Sequence, residues 1–267
     1  MTKKGKTLSG IYIALMMLFL YLPIFVLIVF SFNSTKGYSW NGFSLQWYKD
    51  LFSNELILSS LVNTLIVAAA ASVVSTILGT GAALGVFSMK NKAAKNAIKN
   101  VTYLPMLSPE IVMGISLMLL FSFAHLSGGF ASLIIAHVSF CVPTVFLSVL
   151  PKLRQINKNM YEAALDLGCN PQRAFFKVIV PEIMPGIITG FLMAFTYSLD
   201  DFVVSYFTAG NVQTLSITIY SMVKKRVSPE INALSTIMFV LVLLVLLVVN
   251  VRSIKAERAR EKKMMRL

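Results

Sequence analysis

Three carboxylates stand where a carboxylate is expensive to keep. Glu110, Asp200 and Asp201 fall inside the apolar stretches 101–124 and 186–207, and neither stretch holds a lysine or arginine. An ionised side chain at a bilayer centre costs about 2.5–3.5 kcal/mol on insertion scales, so such groups face a wet cavity or a partner. Unpaired anions in that setting call for a cation, and the chemistry they suit is binding and release along a path. Tyr197, Asp201 and Ser205 are spaced i, i+4, i+8 and form one polar stripe on an unbroken helix, with Asp200 about 100° away from it.

Glu110 lies in Leu104-Pro105-Met106-Leu107-Ser108-Pro109-Glu110. Two prolines four apart interrupt a helix, and Ser108 with Pro109 suits a new helix start. A span starting near residue 101 puts Glu110 roughly 14 Å in, and broken helices near the midplane mark binding sites in transporters. Ser228, Pro229 and Glu230 repeat the Ser-Pro-Glu pattern, there read simply as a helix start. His125 and His137 are isolated and read as structural, and no metal site is expected.

The elements that hold these residues must be membrane helices. Hydrophobic residues make up 57% of the chain and charged residues 13%, about half the charged fraction of a soluble domain. Six apolar blocks, near 11–32, 60–88, 101–124, 129–151, 186–207 and 229–251, are each long enough to cross about 30 Å of hydrocarbon. Backbone groups in lipid must be satisfied within the segment, and no barrel-like alternation occurs, so the expected fold is all-α and polytopic with six spans. Lys3, Lys4 and Lys6 precede the first block as in a signal peptide, but that block is too long for one and is kept as a span.

The net charge of +13 raises nucleic acid as a partner, and the placement of the charges argues against it. Lysines and arginines cluster just beyond block ends, where they set orientation. The N-terminal tail, 89–100, 152–185 and the tail 252–267 together carry 19 of the 24, and the opposite side carries 5. Both termini are therefore expected on the cytoplasmic side of the cell membrane. Lys224, Lys225 and Arg226 are an exception on the outer side. Cys141 and Cys169 lie in different settings, and no disulfide is expected.

Residues 1–59 read as an N-terminal tail, a first span and an outer interfacial segment; 60–251 as the transmembrane core; and 252–267 as a basic tail. In 33–59, Trp40, Phe43, Trp47 and Tyr48 favour the membrane interface, and Leu45, Tyr48, Leu51 and Phe52 share one helical face. Gly81 with Gly85 and Gly186 with Gly190 are GxxxG pairs that permit close helix approach.

The loop 152–185 reads as two short helices on the cytoplasmic face. Asn159 is placed to cap the first, with Glu162 at the capping-box position and Gly168 at its end; Asn170 and Pro171 start the second. Glu162-Ala163-Ala164, three residues, Gly168, nine residues and then Val178-Ile179-Val180-Pro181 resemble the EAA loop of type I ABC importer permeases, whose pattern ends I-x-L-P. Val178 and Val180 are the departures. The resemblance implies that Glu162, Ala163, Ala164, Gly168 and Pro181 belong to a coupling helix that fits an ATP-binding subunit.

Nearly the whole chain, moreover, is similar to the permeases of spermidine/putrescine importers, through Ser31-Phe32-Asn33-Ser34, Leu107 to Met113, Ser198-Leu199-Asp200-Asp201 and Ile219 to Ala233. Glu110 stands where that family has Asp. The family implies a second, similar permease, a pair of ATP-binding subunits that hold ATP and magnesium, and an extracytoplasmic polyamine-binding protein. No cofactor is expected in this chain, because no GxxxxGK[ST] loop occurs in it. Glu110, Asp200 and Asp201, with Tyr197 and Ser205, would line the cargo path. The rival is a cation-coupled secondary carrier using the same acids, which would need neither the coupling loop nor an ATPase. An intramembrane protease would need acids converging from different helices with a protease motif, and none accompanies these.

Overall fold

The apolar blocks become helical, two of them as broken pairs, as a backbone without water requires. The computed structural model describes residues 3–37, 39–225 and 229–264. In chain order its helices are α1 (Lys3–Phe30), α2 (Gln46–Ser53), α3 (Glu55–Ser88), α4 (Lys92–Leu107), α5 (Glu110–Phe123), α6 (Phe130–Gln155), α7 (Lys158–Asp166), α8 (Pro171–Ala174), α9 (Val180–Asp200), α10 (Val203–Thr208), α11 (Leu215–Lys225) and α12 (Pro229–Met264). A π-helical segment, Phe175–Ile179, joins α8 to α9. Among the described residues the only β-pairing is an isolated bridge between Asn33 and Phe43.

Among the described residues, four helical runs are long and apolar enough to cross a membrane: Ser9–Phe30, Glu55–Ser88, Phe130–Gln155 and Pro171–Asp200. Helices α4 and α5 pass the same test together and are bent by 102°, the geometry of a broken span or of a re-entrant loop. The last block supplies a shorter apolar run, Pro229–Leu244. The structure shifts two expected boundaries. The third block was expected to start near 101, but α4 begins at Lys92, capped by Asn91 accepting from the amides of Ala93 and Ala94. The fifth was expected unbroken to 207, but α9 stops at Asp200.

The chain divides into two units, Ser59–Thr218 and the pair Met1–Leu58 with Ile219–Leu267. The first unit is built round α6, whose Val145, Phe146, Val149 and Leu153 are buried with Ala83 and Val86 of α3 and Ile183 and Ala194 of α9. In lipid there is little hydrophobic force between helices, so close backbone approach and hydroxyl bonds must hold them. A Cβ added at Gly79 would stand 2.7 Å from Val145 Cβ, and one at Gly190 3.1 Å from Val145 Cα. Gly186 is similarly tight, 2.9 Å from Lys152 Cγ. Gly81 and Gly85 meet nothing within 4 Å, so that GxxxG pair is not a contact within this chain and Gly79 does the work expected of it. Ser60 and Thr218 hydroxyls meet at 2.7 Å, and the Leu215 amide donates to Thr64 Oγ1 at 2.8 Å.

In the other unit, a turn after α1 is organised by Asn33. Its Oδ1 accepts from the Asn41 amide at 2.9 Å, its Nδ2 donates to Ser39 O at 2.8 Å, and its own carbonyl accepts from Trp47 Nε1 at 2.6 Å. Helix α2 therefore buries Trp47 and Leu51, while Leu45 and Phe52, on the face expected at the membrane interface, stay exposed. The indole needs a partner for its N–H, and the Asn33 carbonyl supplies it. Arg226 and Ser228 lie outside the described residues.

Candidate functional site

Both acid-bearing segments are broken helices, and the acids sit at the breaks. In the first, Ser108 is extended (ψ 139°) and closes α4, its hydroxyl donating to Leu104 O at 2.8 Å. A residue before proline is forced out of helical geometry, so Ser108 ends one helix instead of capping the next as expected. Pro109 then precedes Glu110, the first residue of α5, where the exposed amide ends of the helix favour a negative charge.

In the second break, Asp201 is extended (φ −60°, ψ 125°) between α9 and α10. Its Oδ2 accepts from the Ser205 amide at 2.7 Å and its Oδ1 from the Val204 amide at 3.3 Å. The side chain thus caps α10, the competition with the helical ladder that short acidic side chains offer. The stripe of Tyr197, Asp201 and Ser205 presumed an unbroken helix; the break at Asp201 turns Ser205 away from a cavity that Tyr197 and Asp201 both line. Ser205 is fully buried and faces α6.

The breaks meet because α10 packs on α5 at Gly114, where an added Cβ would stand 2.8 Å from Phe207 Cδ2. Together they enclose a cavity of about 460 Å³ whose lining includes Glu110, Tyr197, Asp200 and Asp201, with Phe140 and Thr144 from α6. Ser205 is absent from that lining. Glu110 and Asp200 are exposed, Tyr197 is 46% exposed, and the Asp201 side chain is only 7% exposed. His137 Nε2 lies 3.5 Å from Asp201 Oδ2, an ion pair only when the ring is protonated, and among the described residues no lysine or arginine forms a salt bridge with the cavity acids. No cluster of three or more metal-ligating side chains occurs among the described residues.

The second candidate region is the loop after α6. Asn157, not Asn159, caps α7, accepting from the Asn159 amide; an Asx side chain bonds two residues ahead, and the helix starts one turn-fraction earlier than the spacing suggested. Glu162, Ala163 and Ala164 lie on α7, whose end is a Schellman turn: the Cys169 amide donates to Ala164 O at 3.0 Å and the Gly168 amide to Leu165 O at 2.9 Å. Gly168 has φ +81°, a conformation that favours glycine. Asn170 and Pro171 open α8 as expected. Pro181 sits in the first turn of α9, directly after the π segment. A proline ring crowds the carbonyl four residues back, and the wider turn accommodates it. Leu167 is 87% exposed and Glu162 is exposed, while a mainly apolar cavity of about 490 Å³ lies behind the loop, touching Tyr161 and Glu162.

Sequence reasoning treated His137 as isolated. The structure gives its two ring nitrogens partners on both sides of the second break, Ser198 at 2.6 Å and Ser205 at 3.0 Å. The signal available was a polar ring in mid-span, which in lipid must find partners; which ones depends on tertiary packing.

Residues 75–255 match the family described as binding-protein-dependent transport system inner membrane component. The chain is 40% identical over 225 residues to the spermidine/putrescine transport system permease protein PotC of Haemophilus influenzae, covering 84% of this chain and 87% of that protein. It is 38% identical over 239 residues to PotC of Escherichia coli K12, covering 89% and 90%. Against the putrescine transport system permease protein PotI of the same strain it is 38% identical over 228 residues, covering 82% and 81%. A crystal structure of a bacterial ABC transporter involved in the import of the acidic polysaccharide alginate superposes with a TM-score of 0.76 at 16% identity, over 94% of this chain and 98% of that one. At that identity the likeness shows a shared fold.

Proposed function

The chain belongs to the family of binding-protein-dependent transport system inner membrane components, and from that premise we propose that it is the permease subunit of an ATP-driven polyamine importer. The observation that carries the cargo is the meeting of two broken helices at one cavity, with Glu110 and Asp200 exposed in it and uncompensated by basic residues among those described. A polyamine is a row of ammonium groups separated by methylene runs. The cavity offers carboxylates alongside apolar walls such as Met113, Phe140 and Val203, and Tyr197 adds an aromatic face to which an ammonium is attracted. Partial replacement of hydration by spaced carboxylates allows entry without a trap. The names of the relatives at 38–40% identity support the same cargo.

Hydrolysis is assigned to partner subunits. The exposed α7 with its Schellman end is the proposed dock for an ATP-binding subunit, with Glu162, Ala163, Ala164, Gly168 and Pro181 in that role. A second permease completes the path, and an extracytoplasmic binding protein delivers the polyamine. Both termini and the loop 152–185 are placed in the cytoplasm on the distribution of lysine and arginine.

The test is radiolabelled spermidine and putrescine uptake by the assembled transporter, with Glu110→Gln and Asp200→Asn singly and together. A charged hydrogen bond contributes about 1.5–3 kcal/mol and each 1.4 kcal/mol is tenfold, so each single variant should raise KM by about tenfold or more with basal ATP hydrolysis retained. Wild-type kinetics in the double variant would overturn the assignment of the path.

A further inference from the structure

His137 sits in the middle of α6 with 1% of its surface exposed, and it is not part of the cavity lining. Its Nδ1 lies 2.6 Å from the hydroxyl of Ser198, in the last turn of α9. Its Nε2 lies 3.0 Å from the hydroxyl of Ser205, on α10, and 3.5 Å from Asp201 Oδ2. Ser198 and Ser205 are themselves buried. A hydroxyl donates or accepts as required, so either neutral tautomer satisfies both bonds.

A core histidine that merely needs satisfying takes whatever polar atom is near. This one bonds the chain just before and just after a two-residue break, from a third and separate helix. The break is the place where α9 and α10 are free to turn against each other. Asp201, in the break itself, caps α10, while the two His137 bonds reach from the last turn of α9 to α10. That last turn carries Tyr197 and Asp200.

We infer that His137 is the positioning residue of this cavity: by holding Ser198 and Ser205 across the break it sets where Asp200 stands, and so the affinity for a cationic cargo, without touching that cargo. The inference rests on the cation path proposed above. It adds that affinity is controlled from a buried ring on a helix whose own cavity-facing residues, Phe140 and Thr144, carry no charge.

The experiment uses the complete transporter in membranes, with His137→Ala, His137→Asn and His137→Gln. Uptake of spermidine is expected to show KM raised about tenfold in His137→Ala, with maximal rate and basal ATP hydrolysis within twofold of wild type. The amides each restore one of the two bonds, and at least one of them should recover most of the KM. A second readout is independent of cargo. In a Cys169→Ser background, Asp200→Cys is labelled with a small cationic thiol reagent, and its labelling rate should change at least fivefold when His137→Ala is added and return toward the parent value with the amide that recovers KM. An unchanged labelling rate overturns the inference whatever the transported molecule is. A lowered melting temperature with KM and labelling both unchanged also overturns it, because that is a packing role only. Absence of polyamine uptake in the wild type would instead overturn the proposed function and leave the labelling result to decide this one.

Discussion

Asp200 and Asp201 are adjacent in the chain and have opposite surroundings. Asp200 is exposed at the end of α9, whereas both oxygens of Asp201 accept amides of α10. Asparagine keeps one acceptor oxygen, enough for the shorter bond to the Ser205 amide though not for both, while alanine loses both bonds and costs about 1 kcal/mol. Asp201→Asn is therefore expected to keep most of the uptake and stability that Asp201→Ala loses, and Asp200→Asn to lose affinity with stability intact. KM for uptake and melting of the detergent-solubilised complex measure the two separately. Equal affinity losses for Asp200→Asn and Asp201→Asn would contradict the division. That both acids and Glu110 are costly in lipid was legible from residue type and position alone. Their division of labour was not, because the helical wheel assumes continuity and the Asp201 side chain is itself what competes with it. The cap of α7 was placed at Asn159 instead of Asn157 for the same local reason: a short polar side chain bonds the backbone two to four residues away, and spacing does not say which backbone.

At the scale of helices, the apolar blocks were readable because a bilayer demands about 20 residues of one kind. Which surfaces they present to each other was less so. Gly79 stands against Val145 and Val142 of α6, yet Gly81 and Gly85, which match the familiar spacing, face open space. The motif marks where approach is permitted and not where it happens. Gly79→Val should cost about 1–3 kcal/mol through overpacking and lower both the melting temperature and the amount of assembled complex. Gly81→Ala in the same preparation should leave both within error unless Gly81 meets a neighbouring subunit, which crosslinking at that position would reveal. The start of α4 at Lys92 was missed because its first turns carry Lys92, Lys95 and Lys99, and hydropathy sees only the apolar half of a helix bent by 102° from its successor.

At the scale of the whole chain, the proposed orientation rests on 19 basic residues against 5. Alkaline phosphatase fused after Ser127 or Val212 is expected to be active, and after Leu167 inactive; a fluorescent protein at the C-terminus should fluoresce. The fusion after Val212 is the demanding one, because Lys224 and Lys225 follow it on the proposed outer side, and the reverse pattern would overturn the arrangement. The stretch from Val180 to Asp200 is one unbroken helix of 21 residues, about 30 Å long, with the loop at one end and the cavity at the other. Just before it, the π turn at Phe175–Ile179 holds one residue more than an ordinary turn, and each residue in a helix is worth about 100° of rotation. The clocking of Tyr197 and Asp200 is thus set some 20 residues upstream. Losing a single residue from that turn would swivel the far end of the shaft by more than a quarter revolution, leaving the loop's outline in place and its cargo-facing side chains aimed at the wrong wall.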